Sequence, residues 1–303
     1  MSLEFRGLLD MLVACLLFSA MSLCVFALSR DPEPVDAPVV GLIRVSVNLV
    51  LVLMHALPRG ECRLLWGDMR PALWLRGFFG GASLLLSFLS IERIGPGESG
   101  FLTATSGLFI AILSPMLTGH SQKLLDWVAI SGGLIGLYLL MQPGSGSEDL
   151  SGRWMGLCSG FLAALAYLMV SRSARSNPPL TVVFYFCLLA LLIHFLWLTQ
   201  TALGWPKNPR HFLMAVGAGL LGSLAQFFLT RAYQRASAVR VSAIGYLAPL
   251  LSLGLSSWVF GIRPGQEALV GSAMILLAGV LLPLVVELRA ARKAGDQGPS
   301  PRQ

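Results

Sequence analysis

Eight stretches of this chain contain no charged residue: 11–29, 99–122, 127–147, 154–171, 176–206, 211–230, 241–262 and 268–286. Two more carry one charge each: 37–58 holds Arg44 and 71–91 holds Arg76. A membrane-crossing helix needs about 20 mostly apolar residues, and each stretch is near or above that length. Runs such as Leu188-Leu189-Ala190-Leu191-Leu192-Ile193 do not alternate, so they read as helices rather than barrel strands. Composition agrees. Of 303 residues, 55% are hydrophobic and only 12% are charged, about half the ~25% of soluble domains. That balance excludes a soluble enzyme, a nucleic-acid-binding domain and a disordered chain.

The first span is not read as a cleaved leader. Its head carries Glu4 and Asp10, and no A-x-A site follows. The net charge of +7 is a topology signal. With a cytoplasmic N-terminus, 14 Lys and Arg fall in cytoplasmic segments and 6 on the other side. Both termini are therefore expected inside. Four of the five cysteines lie in spans, Cys62 lies in a loop, and no metal or disulfide spacing is visible.

Pro143-Gly144-Ser145-Gly146-Ser147 is a flexible joint at mid-chain. It divides the chain into a first half 1–142, a linker 143–152, a second half 153–288 and a polar, disordered tail 289–303. Five spans on each side make the halves opposite in topology. A shift of 142 aligns Arg93 with Arg235, Ser114 with Ser256 and Gly119 with Gly261. The expected fold is an all-α integral membrane protein, with ten transmembrane helices as two inverted five-helix repeats. Secondary transporters are commonly built this way, with the binding site near the midplane.

Ala232-Tyr233-Gln234-Arg235-Ala236 followed by Tyr246-Leu247-Ala248-Pro249 is the most specific local pattern. With Arg44 in span 2, and Gly271 and Ala278-Gly279-Val280 in span 10, it resembles the EamA-type permeases of the drug/metabolite transporter superfamily. The resemblance covers almost the whole chain. It implies two inverted halves around a central cavity, and export or exchange of small metabolites. It departs from the family where a Gly-Glu pair often follows spans 4 and 9. Here the sites read Gly119-His120-Ser121 and Gly261-Ile262, with Glu267 displaced.

Polar groups in hydrocarbon are costly, so those inside spans are the candidate site. Arg44 is a candidate carboxylate anchor, with Asn48 at i+4 on its face; snorkelling toward the outer surface or holding a helix in place is the competing role. His194 in span 7 is a candidate proton carrier, or a neutral imidazole bonded to a nearby carbonyl. Ser242, Tyr246 and Pro249 share one face of span 9 with Gly245. Thr103, Ser106, Tyr167 and Gln226 complete the candidates, with Ser19 and Ser22 in span 1. Gly77–Gly81, Gly132–Gly136 and Gly156–Gly160 are close-packing pairs.

Gly97-Glu98-Ser99-Gly100 spells the pattern around an intramembrane serine nucleophile, which also needs a histidine on a facing helix. Ser99 is expected near the surface beside Glu98, and ten spans do not suit that chemistry. No nucleotide motif, metal cluster or cofactor site is visible. The reading is a non-enzymatic inner-membrane secondary transporter exporting a small polar metabolite. The export direction rests on the resemblance, which implies as candidate cargoes an amino-acid derivative, a vitamin, a nucleobase or a metallophore. Its partners are that solute, the lipid bilayer, and a proton or exchange substrate, with no nucleic acid. The alternative is a membrane-embedded serine hydrolase or a scaffold.

Overall fold

The structure is a computed structural model that describes residues 3–118, 124–140, 149–173, 176–200, 204–236, 241 and 244–278. Its helices are α1 (Leu3–Ser29), α2 (Ala37–Ala56), the short α3 (Cys62–Trp66), α4 (Pro71–Ile94), α5 (Pro96–Ala104) and α6 (Ser106–Thr118). The others are α7 (Leu124–Leu140), α8 (Leu150–Ser173), α9 (Pro179–Leu198), α10 (Pro209–Arg235), α11 (Leu247–Phe260) and α12 (Gln266–Ala278). Six of them (α1, α2, α4, α8, α9 and α10) are each long and apolar enough to cross a membrane. Proline sits at the first or second position of α2, α4, α5, α9 and α10. Its missing N–H costs nothing there, and its fixed φ starts the turn. Asn208 caps α10 by accepting a hydrogen bond from the His211 N–H at 2.9 Å. Large apolar side chains face outward, among them Leu213 at 69% and Trp258 at 84% exposure. Such a surface is soluble only in lipid. The chain is a multi-pass membrane protein.

Ten span positions follow in chain order, but two are broken. Span 4 is α5 and α6, joined at Thr105 (φ −58°, ψ −11°). Span 9 breaks before α11 at Tyr246 (φ −66°, ψ −12°). Both ψ values lie well away from the helical −42°. At Thr105 the amide is shared between the Phe101 and Leu102 carbonyls, both at 3.2 Å. A shift of 142 carries Thr105 to within one residue of Tyr246, so the breaks are equivalent. Interrupted helices at matching places in two halves mark the substrate region of repeat-built transporters.

The packing repeats as well. α4 packs mainly on α8, then α9; its counterpart α10 packs mainly on α1, then α2. Glycines that match under the same shift make these contacts. A Cβ on Gly77 would meet the Tyr185 carbonyl of α9, and one on Gly219 would lie 3.1 Å from Val47 of α2. The two matched arginines each close one end of the bundle. Arg93 pairs with Asp149 at 3.3 Å. Arg235 pairs with Asp10 at 3.0 Å, and Arg231 adds a contact at 3.6 Å. Hydrogen bonds from Ser151 and Gly152, with Arg93 alongside, hold the Asp149 carboxyl below the usual carboxylate range.

Two expectations need correcting. A Cβ on Gly132 would meet no described residue within 4 Å; its neighbour Gly133 packs on Leu108 and Ala278, and Gly136 packs on Gly271 and Met274. The small-residue face is thus rotated by one position from the spacing motif. Ser99 is not near the surface but 1% exposed, because α5 begins at Pro96 and runs directly into the bundle. Of the expected linker, 143–148 lie outside the described residues, while Leu150–Gly152 already form the first turn of α8. Gly119-His120-Ser121, Gly279-Val280 and the tail 289–303 also lie outside them.

Candidate functional site

A cavity of about 190 Å³ lies between the halves at the level of the two breaks. Both halves build it. From the first come Arg44 of α2, Arg76 of α4 and Thr103 of α5; from the second come Tyr167 of α8, Gln226 of α10 and Pro249 of α11. Ser106 also lines it, at the start of α6. Six of the ten candidate residues are therefore brought together: Arg44, Thr103, Ser106, Tyr167, Gln226 and Pro249.

Three others lie outside the cavity wall. His194 is fully buried, and its Nδ1 donates to the Ala190 carbonyl at 2.8 Å. Its ring fills the space left by Gly41 of α2, where a Cβ would sit 2.5 Å from Nε2. Asn48 is buried one turn beyond Arg44, and its amide nitrogen has no partner among the described residues. Tyr246 lies on the break itself, against Gly107 of α6, where a Cβ would be 2.8 Å from its hydroxyl. Ser242 lies outside the described residues. Ser22 does line the cavity, whereas Ser19 ties α1 to the start of α11 by donating to the Ala248 carbonyl at 2.9 Å.

α5 can approach α11 closely because small residues face it. Gly97 meets Leu253, and a Cβ on Gly100 would lie 3.1 Å from Pro249. Aromatic rings form much of the remaining wall. Tyr167 stacks on Tyr233 with centroids 4.9 Å apart and planes at 17°. Phe18 and Phe88 flank the Arg44 guanidinium at 5.8 and 5.4 Å, and Phe186 lies 4.9 Å from that of Arg76.

Arg76, Tyr233 and the phenylalanines were not among the expected site residues. Arg76 is 2% exposed although it lies only six residues into its helix. Near a helix start, a long cation ordinarily snorkels to the interface. Here its side chain folds back over Gly80, where any Cβ would collide with the guanidinium. Gly222 does the same for Arg44. Gly80 and Gly222 match under the 142 shift, and that match was the signal available in the sequence.

Towards the end that carries Arg93, a second cavity of about 520 Å³ shares Pro96 with the first. Arg30, Arg93 and Arg263 line it, and at its wall Glu98 pairs with the buried Arg153 at 2.6 Å. The central cavity thus has an antechamber at one end. Nothing in the wall assembles hydrolytic chemistry. Ser99 Oγ donates to the Ser87 carbonyl at 3.4 Å, and His194 is not part of the cavity lining. Among the described residues, no group of His, Cys, Asp or Glu could hold a metal ion.

Comparison with known proteins gives a consistent picture. Residues 5–142 and 150–284 each match the description of the EamA-like transporter family. An uncharacterized transporter of Helicobacter pylori is 26% identical, over 95% of this chain and 97% of its own. A riboflavin transporter of Vibrio cholerae is 27% identical, over 90% and 91%. A pseudopaline exporter of Pseudomonas aeruginosa is 26% identical, over 70% and 74%. A solved crystal structure, 18% identical, covers 93% of this chain and 98% of its own with a TM-score of 0.68, which shows a shared fold.

Proposed function

Because the chain belongs to the EamA-like transporter family, we propose that it exports a small polar metabolite across a bacterial inner membrane by alternating access. The cavity supports this most directly. It sits at the paired helix breaks, is walled by both halves, and mixes aromatic faces with a few polar groups. Such a lining suits a cargo with a flat or apolar body and a few hydrogen-bonding groups. The two halves would rock about it, with the Asp10–Arg235 and Arg93–Asp149 pairs parting in turn at opposite ends.

Arg44 would anchor a carboxylate, and Thr103, Ser106, Gln226 and Tyr167 would orient the rest. The packing of His194 against Gly41 favours a structural role for it over proton carriage. Similarity to a riboflavin transporter and a pseudopaline exporter supports keeping a vitamin and a metallophore as candidate cargoes, beside amino-acid derivatives and nucleobases. Exchange for a counter-solute agrees with a cavity wall that, among the described residues, holds no carboxylate to bind a coupling cation. The Lys and Arg bias supports both termini in the cytoplasm.

The test compares extracellular and intracellular metabolites of a deletion strain, its parent, and the strain complemented with Arg44→Gln. One compound should accumulate inside the deletion strain, be restored to the medium by the wild-type chain, and be restored poorly by the variant. Identical metabolite pools in deletion and parent would overturn export.

A further inference from the structure

Two positive charges, rather than one, are buried in the cavity wall with no counter-charge among the described residues. Arg44 is 3% exposed and Arg76 is 2% exposed. Neither guanidinium forms an ion pair or hydrogen bond with a described residue, and the Nε of each has no partner. Their contacts are the aromatic rings of Phe18, Phe88 and Phe186. The two lie within electrostatic reach of each other and of Tyr167. Among the described residues, no carboxylate lines the cavity. The acidic residues nearest the bundle interior are engaged elsewhere: Asp10 with Arg235, Glu98 with Arg153, and Glu92 with the Ala37 N–H at 3.1 Å.

Leaving two cations unneutralised at this depth is expensive. A chain that only needed to pack α2 and α4 would do better with apolar side chains of similar volume. Instead, Gly80 and Gly222, equivalent in the two halves, clear room for the two side chains. Arginine presents a planar fork of donors that fits a carboxylate with two parallel hydrogen bonds, and its weak hydration suits a dry wall.

We propose that Arg44 and Arg76 form a two-point anion site, and that the cargo carries two separated anionic groups, one for each guanidinium. The inference rests on the transport reading for its biological meaning but is a claim about binding. The aromatic rings would pack on the apolar link between the two anionic groups. Tyr167, beside both arginines, would donate its hydroxyl to whichever anionic group lies nearer.

The test uses the purified full chain in detergent at fixed ionic strength. Thermal unfolding is followed against α,ω-dicarboxylates from malonate to suberate, and against monocarboxylates of matched length. A single optimum chain length should stabilise the protein, at concentrations where matched monocarboxylates do not. Arg44→Gln and Arg76→Gln should each weaken that protection about tenfold to a hundredfold, the worth of a charge-assisted contact. Arg44→Lys and Arg76→Lys keep the charge but lose the fork. They should keep the same optimum length with weaker protection, and they stand in if a glutamine variant fails to fold. The proposal is overturned if monocarboxylates protect equally, if no dicarboxylate protects, or if protection survives both glutamine variants. Counterflow of the best dicarboxylate in proteoliposomes separates this claim from the transport reading. Protection without counterflow would count against transport and leave the anion site standing. Counterflow of a neutral solute without dicarboxylate protection would do the reverse.

Discussion

Arg76 shows how one side chain can change the character of a site. Its position near the start of α4 suggests an interfacial cation, yet it turns inward because Gly80 offers no Cβ to stop it. Substituting Gly80→Leu should therefore displace Arg76 and reduce cargo binding while α4 still inserts; binding assays and membrane yield would separate the two effects. Tyr167 and Tyr233 make a second residue-scale test. Tyr167→Phe keeps the 4.9 Å stack and removes only the hydroxyl, so transport should fall severalfold. Tyr167→Ala removes both and should abolish it, as initial rates in vesicles would show. Most of the cavity's polar residues were legible, since Arg44, Thr103, Ser106, Tyr167, Gln226 and Pro249 stand out inside apolar runs. Azimuth was not. Depth along a helix follows from counting residues, but Asn48 and His194 are as deep as Arg44 and lie outside the cavity wall.

At the scale of elements, charge-free runs place the spans because a charge in hydrocarbon is costly wherever it falls. They do not reveal the break at Thr105, which sits within an unbroken charge-free run and has no proline at the turn. Tertiary contacts make that break: Gly107 receives Tyr246, and Gly97 and Gly100 receive Leu253 and Pro249. Gly97→Val should push α5 off α11, because a Cβ there would lie 2.9 Å from the Leu253 Cα. The expected cost is about 1–3 kcal/mol, seen as a lower unfolding midpoint. Connections between elements are also testable. Ser176 donates to Asp68 Oδ2 at 2.6 Å, and Asn177 accepts from the Asp68 N–H at 3.1 Å, tying the α3–α4 loop to the start of α9. The Ser176 hydroxyl above all, then the Asn177 side chain and the Arg70 N–H and guanidinium, hold the Asp68 carboxyl below its usual value of 3.8. A depressed carboxylate stabilises the fold above its unfolded pKa and loses that contribution as pH falls through the lowered folded value. Wild type should thus unfold at a higher temperature than Ser176→Ala at pH 7, and the gap should close as the pH drops below 3.8.

For the whole molecule, the inverted repeat ties the other findings together. Matched breaks, matched glycines and matched arginine pairs at the two ends all follow from one shift of 142 residues. The charge of +7 then reads as orientation. A reporter active only outside the cytoplasm, fused after Gln303, should be silent, and activity there would reverse the topology. Alternating access can be tested without knowing the cargo. The five native cysteines are replaced, and Thr103→Cys places one thiol in the cavity wall. A membrane-impermeant thiol reagent is then applied to one face of the membrane at a time. Alternating access predicts labelling from either face, slowed from both by bound cargo. Labelling from a single face only, under all conditions, would contradict it.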